Sequence, residues 1–275
     1  ASALGAAKVE EARIELLLRA RIAAPLVRAS ALRAVAQLGG DHVLEALVTG
    51  VADSDPEVKR GAAEGLTILA DPQSTPILIS LLRQGRESDT FETARKGLIA
   101  LGEDARRELR RTVSSEAHST RRECALLLAL MGDPWVANPM IKLLNSRPND
   151  REMAFELAVL TCVDFSGEVD AAINWQEWYD DVTHEDSTAW FIAALERKGM
   201  AMPPAANFKP GPGAREGGLL LLALLRSEED YLAERARRDL SKLLGGDLGD
   251  IPVNATERAA WLLALRETIL KRFES

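Results

Sequence analysis

Aromatic residues make up only 5% of this chain, and Val, Ile, Tyr and Phe are too sparse for a protein built of strands. The apolar share is nevertheless 47%, supplied mostly by Ala and Leu, which are strong helix formers. No apolar run reaches the roughly 18 residues of a transmembrane helix. The longest, Gly217 to Leu225, is half that and stops at Arg226, so no membrane insertion is expected. Histidine occurs three times, as His42, His118 and His184, far apart in sequence. No His-x-Glu, Cys-x-x-Cys or His-Glu-x-x-His spacing occurs, and no metal or cofactor is expected. Asp180, Asp181 and His184 could share a helix face as a weak hard-metal site; a solvated acidic helix end is the preferred account. There is no phosphate-cradling glycine loop, since Gly245-Gly246 reads as a helix stop, and no Gly-x-Ser-x-Gly elbow. No catalytic residue is assigned, and the chain is expected not to be an enzyme.

Cysteine is nearly absent as well. Cys124 falls early in one helix and Cys162 just past the end of the equivalent helix one repeat on. Eight residues of helical rise is about 12 Å, beyond the roughly 7 Å Cα limit of a disulfide. Both are expected to be free, buried thiols, which suits a reducing compartment. The chain begins at Ala1; a removed leader and a trimmed end both fit that, and no charged-then-apolar pattern is in the sequence.

Charge is unevenly spread. Residues 1–150 hold 20 Lys+Arg against 20 Asp+Glu, whereas residues 151–275 hold 14 against 22 and carry the whole net charge of −8. From Asp164 to Asp186 there are acids and no Lys or Arg. Such a block repels phosphate backbones and favours basic partners.

What the chain does have is a repeat. Residues 27–39 (VRASALRAVAQLG) recur as 58–70 (VKRGAAEGLTILA), as 90–102, as 120–132 and, more weakly, as 150–162. The equivalent small residues are Ala31, Ala62, Ala94, Cys124 and Ala154. Apolar and small residues fall at helical spacing, as in Ala31, Val35 and Leu38. Gly39, Gly102 and Gly132 sit where a helix needs a left-handed residue after its end. Asp41, Asp71 and Asp133 stand where the next helix needs an N-cap, and Asp53, Asp55 and Pro56 make a second short turn. Each unit is therefore two helices of roughly 10–12 residues, and no unit can bury its face alone.

Val27-Arg28 with Ala31, Val58-Lys59 with Ala62, the Leu38-Gly39 end and the Asp55-Pro56 turn resemble HEAT repeats, specifically the short bacterial HEAT-like units first noted in phycobilisome lyases. The resemblance covers residues 27–162 well and the remainder loosely. It implies an all-α fold: an α-solenoid of stacked antiparallel helix pairs, about seven to eight in number, stacking with a right-handed sense. The expected organisation is one elongated domain over 1–275, with regular units of about 30 residues over 1–162 and longer, irregular ones over 163–275. It also implies a bacterial source, with cytoplasm favoured over periplasm.

The second half keeps the theme at greater length. Leu160-Thr161-Cys162-Val163-Asp164 precedes Trp178, and Leu243-Leu244-Gly245-Gly246-Asp247 precedes Trp261; both Asp–Trp separations are 14, and the copies are 83 residues apart. The arrangement is similar to one in bacterial HEAT-repeat proteins and is expected to lock a join between units. Residues 200–214 hold four prolines and two glycines and read as a long loop, a connector rather than a lid. A capping helix is expected near 256–273, and an amphipathic segment, 8–20, covers the other end.

In this repeat type the second helix of each unit lines the concave side. Positions outside the buried stripe project Arg33, Arg60, Glu64, Glu92, Lys96, Arg122, Glu123, Leu126, Leu130, Glu152, Met153 and Glu156 onto it. That surface is mixed in charge and suits a protein or peptide segment better than a polyphosphate. Trp175, Trp178 and Tyr179 share a helix face; core packing is the preferred account, and a second, aromatic contact at Trp175 and Tyr179 the functional one. The expected function is a non-catalytic protein-binding scaffold, its partner and oligomeric state not legible. The first alternative is a nucleic-acid-binding solenoid like the HEAT-like alkylpurine DNA glycosylases, through Arg106, Arg107, Arg110, Arg111, Arg121 and Arg122. Interleaved Glu103, Asp104, Glu108 and Glu116 and the acidic total weigh against it. The second is a lyase-type enzyme of the phycobilin family, but with both cysteines in the core no bilin-handling set remains.

Overall fold

The computed structural model describes residues 2–115, 118–182 and 186–273, which form fifteen α-helices and no strand. The chain divides into two compact units, one running to Met131 and the other beginning at Gly132. The first contains α1 (Ser2–Ile22), α2 (Pro25–Leu38), α3 (Val43–Val51), α4 (Pro56–Leu69), α5 (Thr75–Leu82), α6 (Phe91–Leu101), α7 (Glu103–Ser114) and α8 (His118–Leu130). The second contains α9 (Ala137–Ser146), α10 (Arg151–Thr161), α11 (Ala171–Asp181), α12 (Ser187–Arg197), α13 (Ala214–Leu224), α14 (Asp230–Leu244) and α15 (Ala255–Arg272). The fold class is an α-solenoid of helical pairs.

Local chemistry sets the helix ends. Pro56 occupies the first turn of α4, where its missing N–H costs nothing, and the Asp55 carboxylate accepts from the amides of Glu57 (2.9 Å) and Val58 (3.4 Å). Asp71 and Asp133 do the same for short 3-10 turns at Pro72–Ser74 and Pro134–Val136, which lead into α5 and α9. Asp41 is not a cap. Gly39 and Gly40 both take positive φ, the chain turns for longer, and α3 starts only at Val43, with His42 in the left-handed region before it.

The repeat register is the packing register. Ala31, Ala62, Ala94, Cys124 and Ala154 are all buried. In the first unit α2 packs on α4, α4 on α6 and α6 on α8, while α3, α5 and α7 form the partners of the pairs. The approach of α2 to α4 is so close that a Cβ on Gly61 would lie 2.8 Å from the Ala29 backbone. Gly97 plays the same part between α4 and α6: a Cβ there would lie 2.7 Å from the Thr67 hydroxyl.

In the second unit α10 packs on α9, α12 and α14, and α13 on α14 and α15. The 83-residue copies share a local structure. Cys162 and Gly245 both take left-handed backbone, at φ 60 and 64. Two residues on, Asp164 accepts from the Ser166 amide (2.8 Å) and Asp247 from the Gly249 amide (3.0 Å). The 200–214 segment is pinned to the helices beside it. Phe208 meets Phe191 of α12 edge-on at 5.4 Å, and buried Asn207 donates to Glu216 of α13 at 2.8 Å.

Two substitutions should move stability in the directions opposite to helix propensity. Gly61→Ala places a better helix former in α4, worth about 1 kcal/mol. It also overpacks a contact made by backbone, costing about 1–3 kcal/mol, so urea unfolding should show a net loss. Ala70 stands at φ 50 where three of the four other copies of the repeat have glycine and the last has Cys162. Ala70→Gly should stabilise by up to about 1 kcal/mol, the left-handed strain relieved less the entropy a glycine adds to the unfolded chain. A gain for Gly61→Ala or a loss for Ala70→Gly would contradict these assignments.

Candidate partner-binding surface

Four stacked helices carry the surface projected for the first unit. Arg33 lies on α2, Arg60 and Glu64 on α4, Glu92 and Lys96 on α6, and Arg122 and Glu123 on α8. Glu92 and Lys96 are exposed; the others are half-buried. Among the described residues all of these charges but Lys96 are in ion pairs. Arg33 pairs with Glu64 across the α2–α4 contact, and Arg60 reaches Glu57 at 2.6 Å and Glu64 at 3.9 Å. Glu123 takes both Arg86 (2.9 Å) and Arg122 (2.7 Å), and Arg95 pairs with Glu92 at 2.9 Å. The face is thus a ladder of alternating sign whose net charge is small. Exposed pairs of this kind contribute little to stability, but they hold their side chains in fixed places.

Leu126 does not belong to that face. It is 4% exposed, inside a continuously buried run from Cys124 to Ala129. A helix that is apolar all round is buried all round, and the run itself is the signal that helical projection passed over.

In the second unit Glu152 is exposed on α10, whereas Met153 is buried. Glu156, half-buried, is held by Arg238 of α14 through two bonds of 2.7 and 2.9 Å. Arg238 also donates to Glu234 (2.7 Å), and Arg237 grips Glu234 through two bonds of 2.8 Å. Burial pushes the Glu234 carboxyl up, but the Arg237 hydrogen bond and the Arg238 charge outweigh it and hold it below the usual carboxylate range. Glu156 is therefore a strut between α10 and α14.

Trp175 is fully buried and is not a contact surface. Its indole N–H donates to the Val163 carbonyl at 3.4 Å, and its ring meets Phe165 edge-on at 5.7 Å. Trp178, half-buried, packs edge-on against Trp190 at 5.4 Å. Tyr179 is half-buried, its hydroxyl pKa raised by burial and then by Asp180. Core packing accounts for these aromatics: the face they share points inward at Trp175 and only partly outward at Tyr179.

Arg106 and Arg111, two of the four arginines of α7, are engaged within the first unit. Arg106 pairs with Glu103 at 2.8 Å and donates to the Met131 carbonyl at 2.8 Å, and Arg111 grips Glu108. Glu116 and His184 lie outside the described residues, so the Asp180–His184 pairing has no geometry to report; among the described residues no three His, Cys, Asp or Glu are grouped to hold a metal ion.

Both cysteines are free and buried. Burial first, and Glu123 second, push the Cys124 thiol up to about 12. Burial pushes Cys162 up to about 11, against the opposing effect of Arg235. Neither is a nucleophile near neutral pH.

Arg235 escaped sequence reasoning altogether. Its guanidinium is buried among α10, α12 and α14. It donates to Leu160 O (2.9 Å), Val159 O (3.4 Å) and Ser187 O (3.0 Å), pairs with Asp239 at 2.6 Å, and lies 5.5 Å over the Phe191 ring. Two of those carbonyls are among the last of α10, the negative end of the helix dipole.

Residues 10–99 match a family model described as HEAT repeats. That stretch, from α1 into α6, is HEAT-like. Among solved structures the chain is similar to one described as the crystal structure of an engineered protein, with 16% identity over 95% of this chain and 82% of that one. Its TM-score of 0.33 is too low to carry any argument. No curated protein matches. The HEAT-like assignment therefore stands on the matched stretch and on the chain's own repeats.

Iodoacetamide at pH 8 should leave both thiols of the folded protein unmodified and alkylate two per chain after denaturation; rapid labelling of either in the native state would contradict the inert-core assignment. Arg235→Leu should destabilise the second unit by about 3–5 kcal/mol, because it strands Asp239 and several carbonyls. The exposed Arg226→Leu should stay within about 0.5 kcal/mol. Equal melting temperatures for the two variants would remove Arg235 from its role.

Proposed function

We propose that the chain is a non-catalytic scaffold that binds a protein segment along α2, α4, α6 and α8, through Arg33, Arg60, Glu64, Glu92, Lys96, Arg122 and Glu123. The observation that supports it is the sign-alternating row of charges in equivalent positions on successive stacked helices. Such a row offers donors and acceptors at a regular interval to an extended partner, as stacked repeats do. HEAT repeats generally serve as protein-interaction scaffolds, which favours the same assignment. A polyphosphate partner would want uncompensated Lys and Arg, and Arg106 and Arg111 of α7 are engaged with Glu103, Glu108 and the Met131 carbonyl. In the second unit we retain Glu152 and Tyr179 as contacts and give Glu156 a bracing role. A bacterial cytoplasm fits two free buried thiols and the likeness of the repeats to bacterial ones.

A photo-cross-linking residue at position 96, compared with one at Lys209 in the second unit, tests this in native lysate treated with nuclease. A discrete protein adduct at 96, absent at 209, is expected. Arg60→Glu combined with Lys96→Glu should abolish capture while leaving the circular-dichroism melt unchanged. Capture that survives the double change, or an adduct that nuclease removes, would overturn the proposal.

A further inference from the structure

From Ile14 to Ile22 the outer face of α1 carries an exposed apolar stripe. The helix meets α2 and α3 with one side, where Arg13, Leu16, Leu17 and Ala20 are half-buried. The opposite side carries Ile14 (58% exposed), Leu18 (50%) and Ile22 (74%), four residues apart, and Leu26 at 67% comes next at the start of α2. Residues at that spacing form one stripe. A solenoid helix whose outer face meets water needs that face polar, and a contiguous apolar stripe marks an interaction site.

The charges beside the stripe say what covers it. Glu11 and Arg21 lie on the same face, one toward each end, and both are exposed. Neither has an ion-pair partner among the described residues. If two copies of α1 lie antiparallel and centred on residue 16, Glu11 of each faces Arg21 of the other. The same register sets Ile14 against Leu18 on both sides, with Ile22 flanking the charge pair. One centre satisfies both the apolar and the charged positions. Parallel pairing would oppose Glu11 to Glu11 and Arg21 to Arg21.

We propose that α1 is an isologous dimer contact, the Ile14–Leu18–Ile22 stripe packing antiparallel on the same stripe of a second copy. A two-fold contact of this kind closes on itself, so assembly stops at two.

Sedimentation equilibrium of the full chain over a range of concentrations tests it. The expected result is twice the chain mass, falling to the chain mass on dilution. Leu18→Glu, on an exposed position, should halve the mass and leave the melt unchanged. Arg21→Glu should weaken the dimer at least tenfold, and Glu11→Arg combined with Arg21→Glu should restore it, since the swap rebuilds the cross-pair only in the antiparallel register. A monomer at every concentration, a mass that climbs past two copies, or a dimer indifferent to Leu18→Glu would overturn the proposal. A double swap that does not recover association would overturn the register.

Discussion

No helical pair in this protein can bury its apolar face by itself, so everything depends on how closely the next pair can approach. In the first unit that approach is set by residues without side chains. Gly61 lets α4 lie against the Ala29 backbone, and Gly97 lets α6 lie against Thr67. Around them Leu32, Leu66, Leu78 and Leu98 are wholly buried. Burying such a side chain is worth about 1.5–3 kcal/mol, and each is covered by a neighbouring helix rather than by its own partner alone. Small residues at the crossing and large ones beside it are one device, repeated.

The second unit meets the same need by another route. Its helices are joined by longer segments, such as 198–213 and 245–254, and a buried cation is added to a close glycine contact, where a Cβ on Gly217 would lie 2.1 Å from the Asn207 carbonyl oxygen. Arg235 binds the carbonyls at the end of α10, the Ser187 carbonyl of α12 and its own Asp239. Beside it Arg238 joins α14 to Glu156 of α10. A buried guanidinium is tolerated only when its donors are satisfied, and satisfying them from three helices fixes how those helices sit. The aromatics fill the remaining space: Trp175 on Phe165, Trp178 on Trp190, Phe191 on Phe208.

The same economy governs the surface. Five of the seven charges projected onto the α2–α4–α6–α8 face pair with one another, and Arg106 and Arg111 of α7 are paired with glutamates of their own helix. Compensated charge of that sort does little for stability and little for long-range attraction. It does fix a pattern of donors and acceptors, the property a protein-recognising surface needs. The apolar stripe of α1, with Glu11 and Arg21 at its ends, is a surface of a different kind.

The sequence by itself determined the helices, three of the four aspartate caps and the small buried residue of each repeat. Ala31, Ala62, Ala94, Cys124 and Ala154 recur at the repeat interval and are all buried, and Asp55, Asp71 and Asp133 each cap the helix or 3-10 turn that starts at the next residue. These features arise from hydrogen bonds and side-chain spacing within a few residues, which any one repeat displays. The tertiary structure alone decided that Trp175 turns into the core, that Leu126 lies inside rather than on the groove, and that Glu156 and Arg235 tie α10 to α14. The partners of those last two lie some 75 to 82 residues away. Helical periodicity places a residue on a face; which neighbour covers that face is settled only when the helices stack.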